Sequence, residues 1–393
     1  MLRCTLLPTA LVALAATLSA QDLLVRAKTV VIAPDAVLAD GRFLVRAGKV
    51  AYVGQDVPAD AAAKATTIDC GDAVVVPGFV LPPTTLGRDR DLAEGALPFT
   101  PDLRAVEAFD PWGEELAKLP HTGFTSATLS PSPRNLAGGL GALVKPGAGG
   151  GSGSKGGSVA APELHLALSL VAAARNPERP PTSLMGAVDL LRSAFAQAKS
   201  SAAAGPDVAV LRSVLQGGRK VAIAADTLVE IQAALDLARD FGFEPALVGA
   251  RDADKALDRL VAQRAAVVIG GLAPEMRLAQ LQFPARLAEA GVPFCFAGRP
   301  DQVRLSAALA VRNGLDRKSA WAALGRAPAQ MFGVAGQVGA LRQGCAGDFA
   351  VWSGDPLDLS STLRAVYVDG VRVHGESPSN AASPASSPAA GVR

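Results

Sequence analysis

Two regions of this chain differ in the pattern of their hydrophobic and polar positions. Residues 22–76 contain short runs of aliphatic and β-branched residues separated by glycines, a pattern typical of β-strands joined by tight turns. From residue 79 to about 336, short continuous apolar runs alternate with segments of helical periodicity. Continuous apolar runs are expected for strands that are buried on both faces. The pattern therefore predicts a small β-rich unit next to a parallel α/β domain.

The clearest helix signal follows the apolar run at 220–224. Thr227 and Glu230 have the spacing of a capping box, apolar residues recur every three or four positions, and Gly242 ends the pattern. Further helices are predicted to begin near Asp301 and Asp316. Strands are predicted at residues 123–129, 220–224, 246–249, 265–269 and 292–296.

The apolar run that ends at Pro77 and Gly78 continues with Phe79 and Val80. This stretch resembles the first barrel strand of the amidohydrolase superfamily, most closely the imidazolonepropionase-like branch. Residues 47–54 are similar to a hairpin of that family, 338–352 to its C-terminal Gly-x-Leu-x-x-Gly segment, and 135–141 to its Asn-x-x-Gly-Gly-x-Gly segment. The resemblance covers residues from about 22 to 375.

The resemblance implies a distorted TIM (β/α)8 barrel at residues 79–336. It also implies a composite β-sandwich whose halves are residues 22–78 and 337–375. Residues 147–158 have the composition of a flexible loop, and 376–393, rich in Ser, Pro and Ala, are predicted to be a disordered tail.

The resemblance also implies a metal site, because the family hydrolyses carbon–nitrogen bonds other than peptide bonds with zinc or another divalent metal. The family's first-strand pair of histidines falls on Pro83 and Thr85, and a later histidine falls on Ala224. A further one falls near Gly249 and Ala250. These side chains cannot hold zinc, so no metal or other cofactor is expected.

The three histidines of the chain do not replace the missing ligands. His121, His165 and His374 all lie away from the carboxyl ends of the predicted strands, where barrel enzymes place their chemistry. Hydrogen-bonded structural or surface roles are expected for them. For the same reason the sequence predicts no Ser-His-Asp or Cys-His nucleophile.

Other polar residues follow predicted strands and are candidates for a rebuilt site. Asp226 and Asp301 are catalytic candidates as a carboxylate pair, although acids at helix starts usually stabilise the helix. The candidates for lining a pocket are Thr84, Thr85, Arg88, Asn135, Lys145 and Arg299. For the glycines of 135–141, a structural turn is the alternative to a role at the barrel mouth.

Charge and composition exclude some partners. The net charge of +2 and the absence of basic runs interleaved with aromatics argue against nucleic acid. Residues 1–20 have the pattern of a signal peptide, with an apolar run too short for a stable membrane anchor, so export to the periplasm or the medium is expected. Of the four cysteines, Cys4 lies in the predicted signal peptide, and the three that remain after cleavage are widely spaced. Since an odd number of such cysteines makes no disulfide framework, Cys70, Cys295 and Cys345 are expected to be buried small hydrophobes.

Three functions remain open from the sequence. The first is an exported pseudoenzyme that acts as a binding or scaffolding partner, as a homo-oligomer or with an active relative. The second is an active hydrolase of carbon–nitrogen bonds that uses a metal-free or rebuilt acid–base site. The third is a solute-binding protein that uses the barrel mouth as its pocket for a small molecule.

Overall fold

The computed structural model describes residues 22–147 and 156–376. The predicted signal peptide at 1–20 lies outside the described residues, as do most of the glycine-rich loop and all but the first residue of the predicted tail. Cys70, Cys295 and Cys345 are all buried and unpaired, as expected. Burial raises the pKa of the Cys70 thiol to about 12.

The described residues form eighteen β-strands and eleven α-helices. The strands are β1 Leu23–Ala33, β2 Ala36–Arg46, β3 Lys49–Gly54, β4 Thr66–Asp69, β5 Val74–Pro77, β6 Phe79–Thr84, β7 Phe124–Leu129, β8 Ala137–Leu140, β9 Ala142–Lys145, β10 Ser158–Ala161, β11 His165–Ser169, β12 Lys220–Ala225, β13 Pro245–Gly249, β14 Ala266–Ile269, β15 Phe294–Phe296, β16 Phe349–Trp352, β17 Leu363–Val368 and β18 Val371–Gly375. The helices are α1 Ala59–Ala62, α2 Glu114–Lys118, α3 Leu184–Lys199, α4 Pro206–Leu215, α5 Leu228–Phe241, α6 Leu257–Ala262, α7 Leu278–Leu281, α8 Phe283–Glu289, α9 Pro300–Arg312, α10 Arg317–Leu324 and α11 Arg326–Met331. Within these ranges, no helix has the length and apolar character needed to cross a membrane.

Strands from both ends of the described chain form one eight-stranded sheet. Its order is β18-β17-β16-β5-β1-β2-β3, and β4 also pairs with β1. The sheet folds over itself: Phe43 of β2 and Phe349 of β16 are separated by two strands, yet their ring centroids are 5.1 Å apart. Val25, Val45 and Val351 belong to the buried core between the two halves. The predicted composite β-sandwich is therefore confirmed.

The remaining strands form the predicted barrel. β6 and β7 pair in parallel, and β11 to β15 form a second parallel series in chain order. β9 runs antiparallel beside β7, and β8 runs antiparallel beside β11, so the stretch 137–145 joins the two sheets. On the other side, β6 and β15 both pack against α10 and α11. The barrel is distorted because its third strand position is occupied by β8 and β9, which run antiparallel to the strands on either side.

Two glycines make room for the reversed strand, and each is required by a close contact. A Cβ atom on Gly139 would lie 2.3 Å from the carbonyl oxygen of Leu103. A Cβ atom on Gly141 would lie 2.1 Å from Cε1 of His165. Only glycine fits such approaches. At these two positions the glycines of 135–141 allow close packing, and neither of them lines the pocket described below.

The barrel interior is filled by small side chains and closed at its amino-terminal end by α11. Ala222, Ala246 and Val268 form one buried cluster with Met331 and Phe332. Side chains this short leave space above them at the carboxyl end of the barrel. That space is the pocket described below.

The predicted elements have their expected places. The five strands predicted between residues 123 and 296 are present, with bounds that differ by at most two residues. α5 begins at Thr227 with the predicted capping box, and Gly242 ends it in the left-handed conformation. α9 begins at Pro300, next to the predicted start, and Asp316 caps α10.

Candidate functional site

A pocket of about 160 Å³ opens at the carboxyl ends of β6, β7, β11, β12 and β13. Barrel proteins carry their functional groups at this end. Within the described part of the chain, no ionisable side chain lines the pocket. The lining side chains are apolar, hydroxyl-bearing or amide: Pro83, Thr84, Thr85, Ser130, Pro131, Ser132, Pro133, Asn135, Ala167, Leu168, Ser169, Ala222, Ala224 and Val248.

The hydroxyl groups of the lining differ in how they are already used. Thr84 Oγ1 accepts a hydrogen bond from the backbone N–H of Leu86 at 3.1 Å. Ser169 Oγ donates to the carbonyl oxygen of Pro133 at 2.7 Å. Ser132 Oγ is buried and has no partner among the described residues. The pocket therefore offers hydrogen-bonding groups to a ligand without offering charge.

Asn135 supports the pocket wall. Its amide nitrogen donates to Thr100 Oγ1 at 3.1 Å and to the carbonyl oxygen of Ala137 at 3.3 Å. Its amide oxygen accepts from Arg179 at 3.4 Å. These contacts fix the turn between β7 and β8. Of the six residues predicted to line a pocket, the structure thus places Thr84, Thr85 and Asn135 in this one.

A hydrogen-bonded serine–histidine pair lies at the edge of the pocket, and sequence reasoning missed it. Ser130 Oγ lies 3.1 Å from Nε2 of His165. Ser130 follows β7 and lines the pocket, whereas His165 begins β11 and is fully buried against Phe332. Burial, with the positive charge of Arg219, lowers the pKa of His165 to about 3. His165 therefore has the hydrogen-bonded structural role that was expected, with a partner at the edge of the pocket that was not predicted.

Arg299 lies in a neighbouring cavity of about 340 Å³, which shares Thr84 and Thr85 with the first pocket and also contains Glu115. Its guanidinium pairs with Asp301 at 2.6 Å. That hydrogen bond lowers the pKa of Asp301, which lies in the first turn of α9. This is the helix-start position that the sequence offered as the alternative to catalysis.

Arg88 and Lys145 do not line either cavity. Arg88 pairs with Asp91 at 2.9 Å and with Asp110 at 3.4 Å. Lys145 is the last residue of β9, and because β9 runs opposite to the other barrel strands, its carboxyl end lies at the amino-terminal end of the barrel. Lys145, a candidate for lining a pocket at the barrel mouth, therefore lies at the opposite end of the barrel.

The ammonium group of Lys145 joins the barrel to the composite sheet. It lies 3.0 Å from a carboxylate oxygen of Asp348 and 2.7 Å from one of Asp369. Lys145 and Asp348 are both almost completely buried. Burial opposes the charge on Lys145, but the attraction of the two carboxylates outweighs it and raises the pKa of Lys145.

Asp226 lies in a third cavity, of about 620 Å³, at the carboxyl ends of β12, β13 and β14. Its carboxylate is 3.7 Å from the guanidinium of Arg251. Thr227 and Glu230 form the capping box of α5, and Asp252 accepts from the N–H of Leu228 at 3.2 Å. The capping role considered for Asp226 is therefore filled by other side chains.

Asp226 and Asp301 are not brought together as a catalytic pair. They follow β12 and β15, which are three positions apart in the sheet. Asp226 faces Arg251, and Asp301 faces Arg299. Neither carboxylate lines the pocket at the barrel mouth.

His121 and His374 lie together on the other side of the molecule, with ring centroids 4.5 Å apart. His121 precedes β7, and His374 belongs to β18 of the composite sheet. Burial and the neighbouring His121 lower the pKa of His374. These two rings do not approach the barrel mouth, as the sequence analysis expected.

Comparisons by sequence find no relative: no family model matches the chain, and no curated protein matches it. Comparison with solved structures does find similar proteins. An amidohydrolase from Thermotoga maritima MSB8 has a TM-score of 0.79 at 22% identity, over 90% of this chain and 100% of that one. The A. niger ochratoxinase has a TM-score of 0.56 at 16% identity, over 91% and 96%. An adenosine deaminase from Xanthomonas campestris with bound zinc has a TM-score of 0.51 at 15% identity, over 90% and 92%.

The chain has the fold of the amidohydrolase superfamily. The resemblance found in the sequence is confirmed at the level of the fold. Pro83, Thr85 and Ala224, which the resemblance assigns to the family's ligand positions, all line the pocket at the mouth of this amidohydrolase-like barrel.

The side chains of this amidohydrolase-like mouth do not fit a catalytic metal. Zinc and similar ions require about three His, Cys or carboxylate ligands that converge on one point. In residues 22–147 and 156–376, no group of three or more such side chains could hold a metal ion. The proline, threonine and alanine at the family positions supply no such ligand.

Proposed function

We propose that this amidohydrolase-fold chain has lost metal-dependent hydrolysis and binds a small uncharged solute in its barrel mouth. The observation that supports this most strongly is the composition of the mouth pocket, whose lining is apolar, hydroxyl or amide throughout. A metal-dependent hydrolase needs side chains that hold the ion and tune its bound water. A binding pocket needs only a shaped apolar wall with a few polar groups.

The uncharged lining of the pocket supports a neutral ligand. Transfer of an unpaired charge from water into a protein interior is strongly unfavourable. The pocket lining contains no cation for a carboxylate and no carboxylate for an amine. Its volume of about 160 Å³ is smaller than the roughly 300–1,000 Å³ of sites for drug-sized ligands, so the solute is small.

A rebuilt acid–base site is less well supported. General acid–base catalysis requires the acid and the base to reach the same substrate atoms. Asp226 and Asp301 lie three strands apart and each faces its own arginine. The proposal therefore assigns neither of them to catalysis.

Export is part of the proposal and rests on residues 1–20, which lie outside the described residues. A periplasmic or extracellular place would suit a protein that binds a solute. Assembly with a second copy or with an active relative is a separate prediction. Co-purification with tagged protein from the source cells tests it.

The test of the proposal is binding of small probes by the purified protein, measured by ligand-observed NMR and by soaking of crystals. The neutral probes are acetamide and N-methyl-2-pyrrolidone, and the charged ones are acetate and pyrrolidinium. The neutral probes are expected to bind in the mouth, and Ala224→Leu is expected to abolish their binding by filling the pocket. Ala196→Leu, on the exposed face of α3, is the matched control and should bind normally. Equal binding by the Ala224→Leu variant, or preference for a charged probe, would contradict the proposal.

A further inference from the structure

Ser130 and His165 form a polar pair at the boundary between the mouth pocket and the barrel interior. Ser130 lines the pocket and is 6% exposed, whereas His165 is 0% exposed. The ring of His165 lies against the backbone at Gly141 on one side and against Phe332 on another. The histidine is therefore fixed in position, and through the 3.1 Å contact it also fixes the serine hydroxyl.

The position of the proton on the His165 ring decides whether the Ser130 hydroxyl donates its hydrogen bond to the ring or to a ligand. With a pKa of about 3, the ring is neutral near pH 7 and carries one N–H, on either Nδ1 or Nε2. Nε2 faces Ser130, whereas Nδ1 has no partner among the described side chains and backbone groups. A buried N–H without a partner is rarer in proteins than a buried acceptor without one. This favours the proton on Nε2.

The neighbouring Arg219 bears on the charge of the ring. Burial and the positive charge of Arg219 both oppose a second proton on His165 and so favour the neutral imidazole.

We propose that His165 donates from Nε2 to Ser130 Oγ, so that the Ser130 hydroxyl donates its own hydrogen into the pocket. The pocket then selects ligands with an uncharged acceptor oxygen, such as an amide or ketone carbonyl. Ser132, whose buried hydroxyl lines the same pocket and has no partner in the described part of the chain, supplies a second donor. This inference rests on the proposed function and names the ligand class for the same site.

The pair is not a hydrolytic relay. In a Ser-His-Asp triad, a carboxylate accepts from the second ring nitrogen and stabilises the imidazolium that forms during catalysis. Nδ1 of His165 has no such partner among the described residues, and burial keeps the ring neutral. His165 is a positioning residue, and Ser130 is the group that contacts the ligand.

The first test is the tautomer of His165, observed by two-bond ¹H–¹⁵N correlation NMR on protein labelled at histidine. The expected result is one ring with the proton on Nε2 and no titration near neutral pH. His121 and His374 serve as the other two rings in the same spectrum. A proton on Nδ1 would overturn the inference, since Ser130 would then donate to the ring and not to a ligand.

The second test is the affinity of N-methyl-2-pyrrolidone, which has an acceptor oxygen and no N–H. Ser130→Ala and His165→Leu are expected to weaken binding by about tenfold or more, because an unpaired buried carbonyl is unfavourable. His165→Gln, which keeps an N–H donor, is expected to restore most of the affinity. Thr125→Val removes a buried hydroxyl of β7, the strand that leads to Ser130; this hydroxyl has no partner among the described residues and lies outside the pocket, so the variant is the matched control, with unchanged affinity.

The two proposals fail in different ways. If the wild-type protein binds no neutral probe, the proposed function fails. If it binds N-methyl-2-pyrrolidone with unchanged affinity in the Ser130→Ala variant, the pocket function stands and the inference about Ser130 and His165 is wrong.

Discussion

Replacement of Lys145 with methionine is expected to destabilise the protein by about 3–5 kcal/mol, because it leaves the buried carboxylate of Asp348 without its cation. The two side chains are 5% and 3% exposed and lie 3.0 Å apart. Asp369, the second partner of Lys145, is 48% exposed, so water can solvate it when the cation is lost. The unpaired Asp348 therefore accounts for most of the expected loss. Methionine is close to lysine in shape, so the substitution changes the charge more than the packing.

Urea denaturation followed by circular dichroism measures this loss. The double variant Lys145→Met/Asp348→Asn removes both charges and is expected to recover a large part of the stability. Lys28→Met breaks the exposed pair with Asp72 and should change stability little. Since the pKa of Lys145 is raised above its ordinary 10.5, its contribution is lost as pH rises through the raised value. Burial raises the pKa of Asp348 above its ordinary 3.8, so the ion pair also loses its negative partner at acid pH. A loss of less than about 1 kcal/mol for Lys145→Met near pH 7 would refute the reasoning.

Three further predictions concern His165, Gly141 and Thr227. The folded-state pKa of about 3 for His165 lies below its ordinary 6.5, so its contribution to the free energy of unfolding is present above pH 6.5 and is lost as pH falls. About 3 kcal/mol should disappear by about pH 4. Denaturation curves taken across that range should show that His165→Gln removes this dependence of stability on pH. Gly141→Ala should destabilise by at least about 1–3 kcal/mol in thermal unfolding, because the new Cβ would lie 2.1 Å from the His165 ring, and a normal melting temperature would contradict this. Thr227→Ala should cost about 1 kcal/mol through the lost cap of α5, whereas Thr227→Ser should be nearly neutral.

The architecture could be predicted from the sequence because the helix signals, the apolar runs and the similarity to the family at both ends of the chain indicated the same fold. The capping box of α5, the apolar runs of β12 to β15 and the paired halves of the composite sheet all have their predicted places. The direction of the third barrel strand was not predictable in the same way. A strand of four residues has the same apolar pattern in either direction, so the sequence did not show that β9 carries Lys145 to the amino-terminal end of the barrel.

The candidate site was only partly predictable for a related reason. Pro83, Thr85 and Ala224 could be placed at the mouth because they follow recognisable strands. The contact between Ser130 and His165 could not, since it joins residues 35 positions apart through the stagger of two strands and depends on the space at Gly141. Similarly, the arginines that face Asp226 and Asp301 are set by loop geometry, which local periodicity does not encode.

The most direct test of the account is the metal content of the purified protein, measured by elemental mass spectrometry after dialysis with zinc, manganese and iron present. The account predicts less than about a tenth of an equivalent of metal per chain, because the described residues at the mouth provide no set of ligands that would bind an ion tightly. Close to one equivalent, retained through washing and lost on substitution of carboxylates near the mouth, would contradict it. The protein would then be a metal-dependent hydrolase with a rebuilt ligand set.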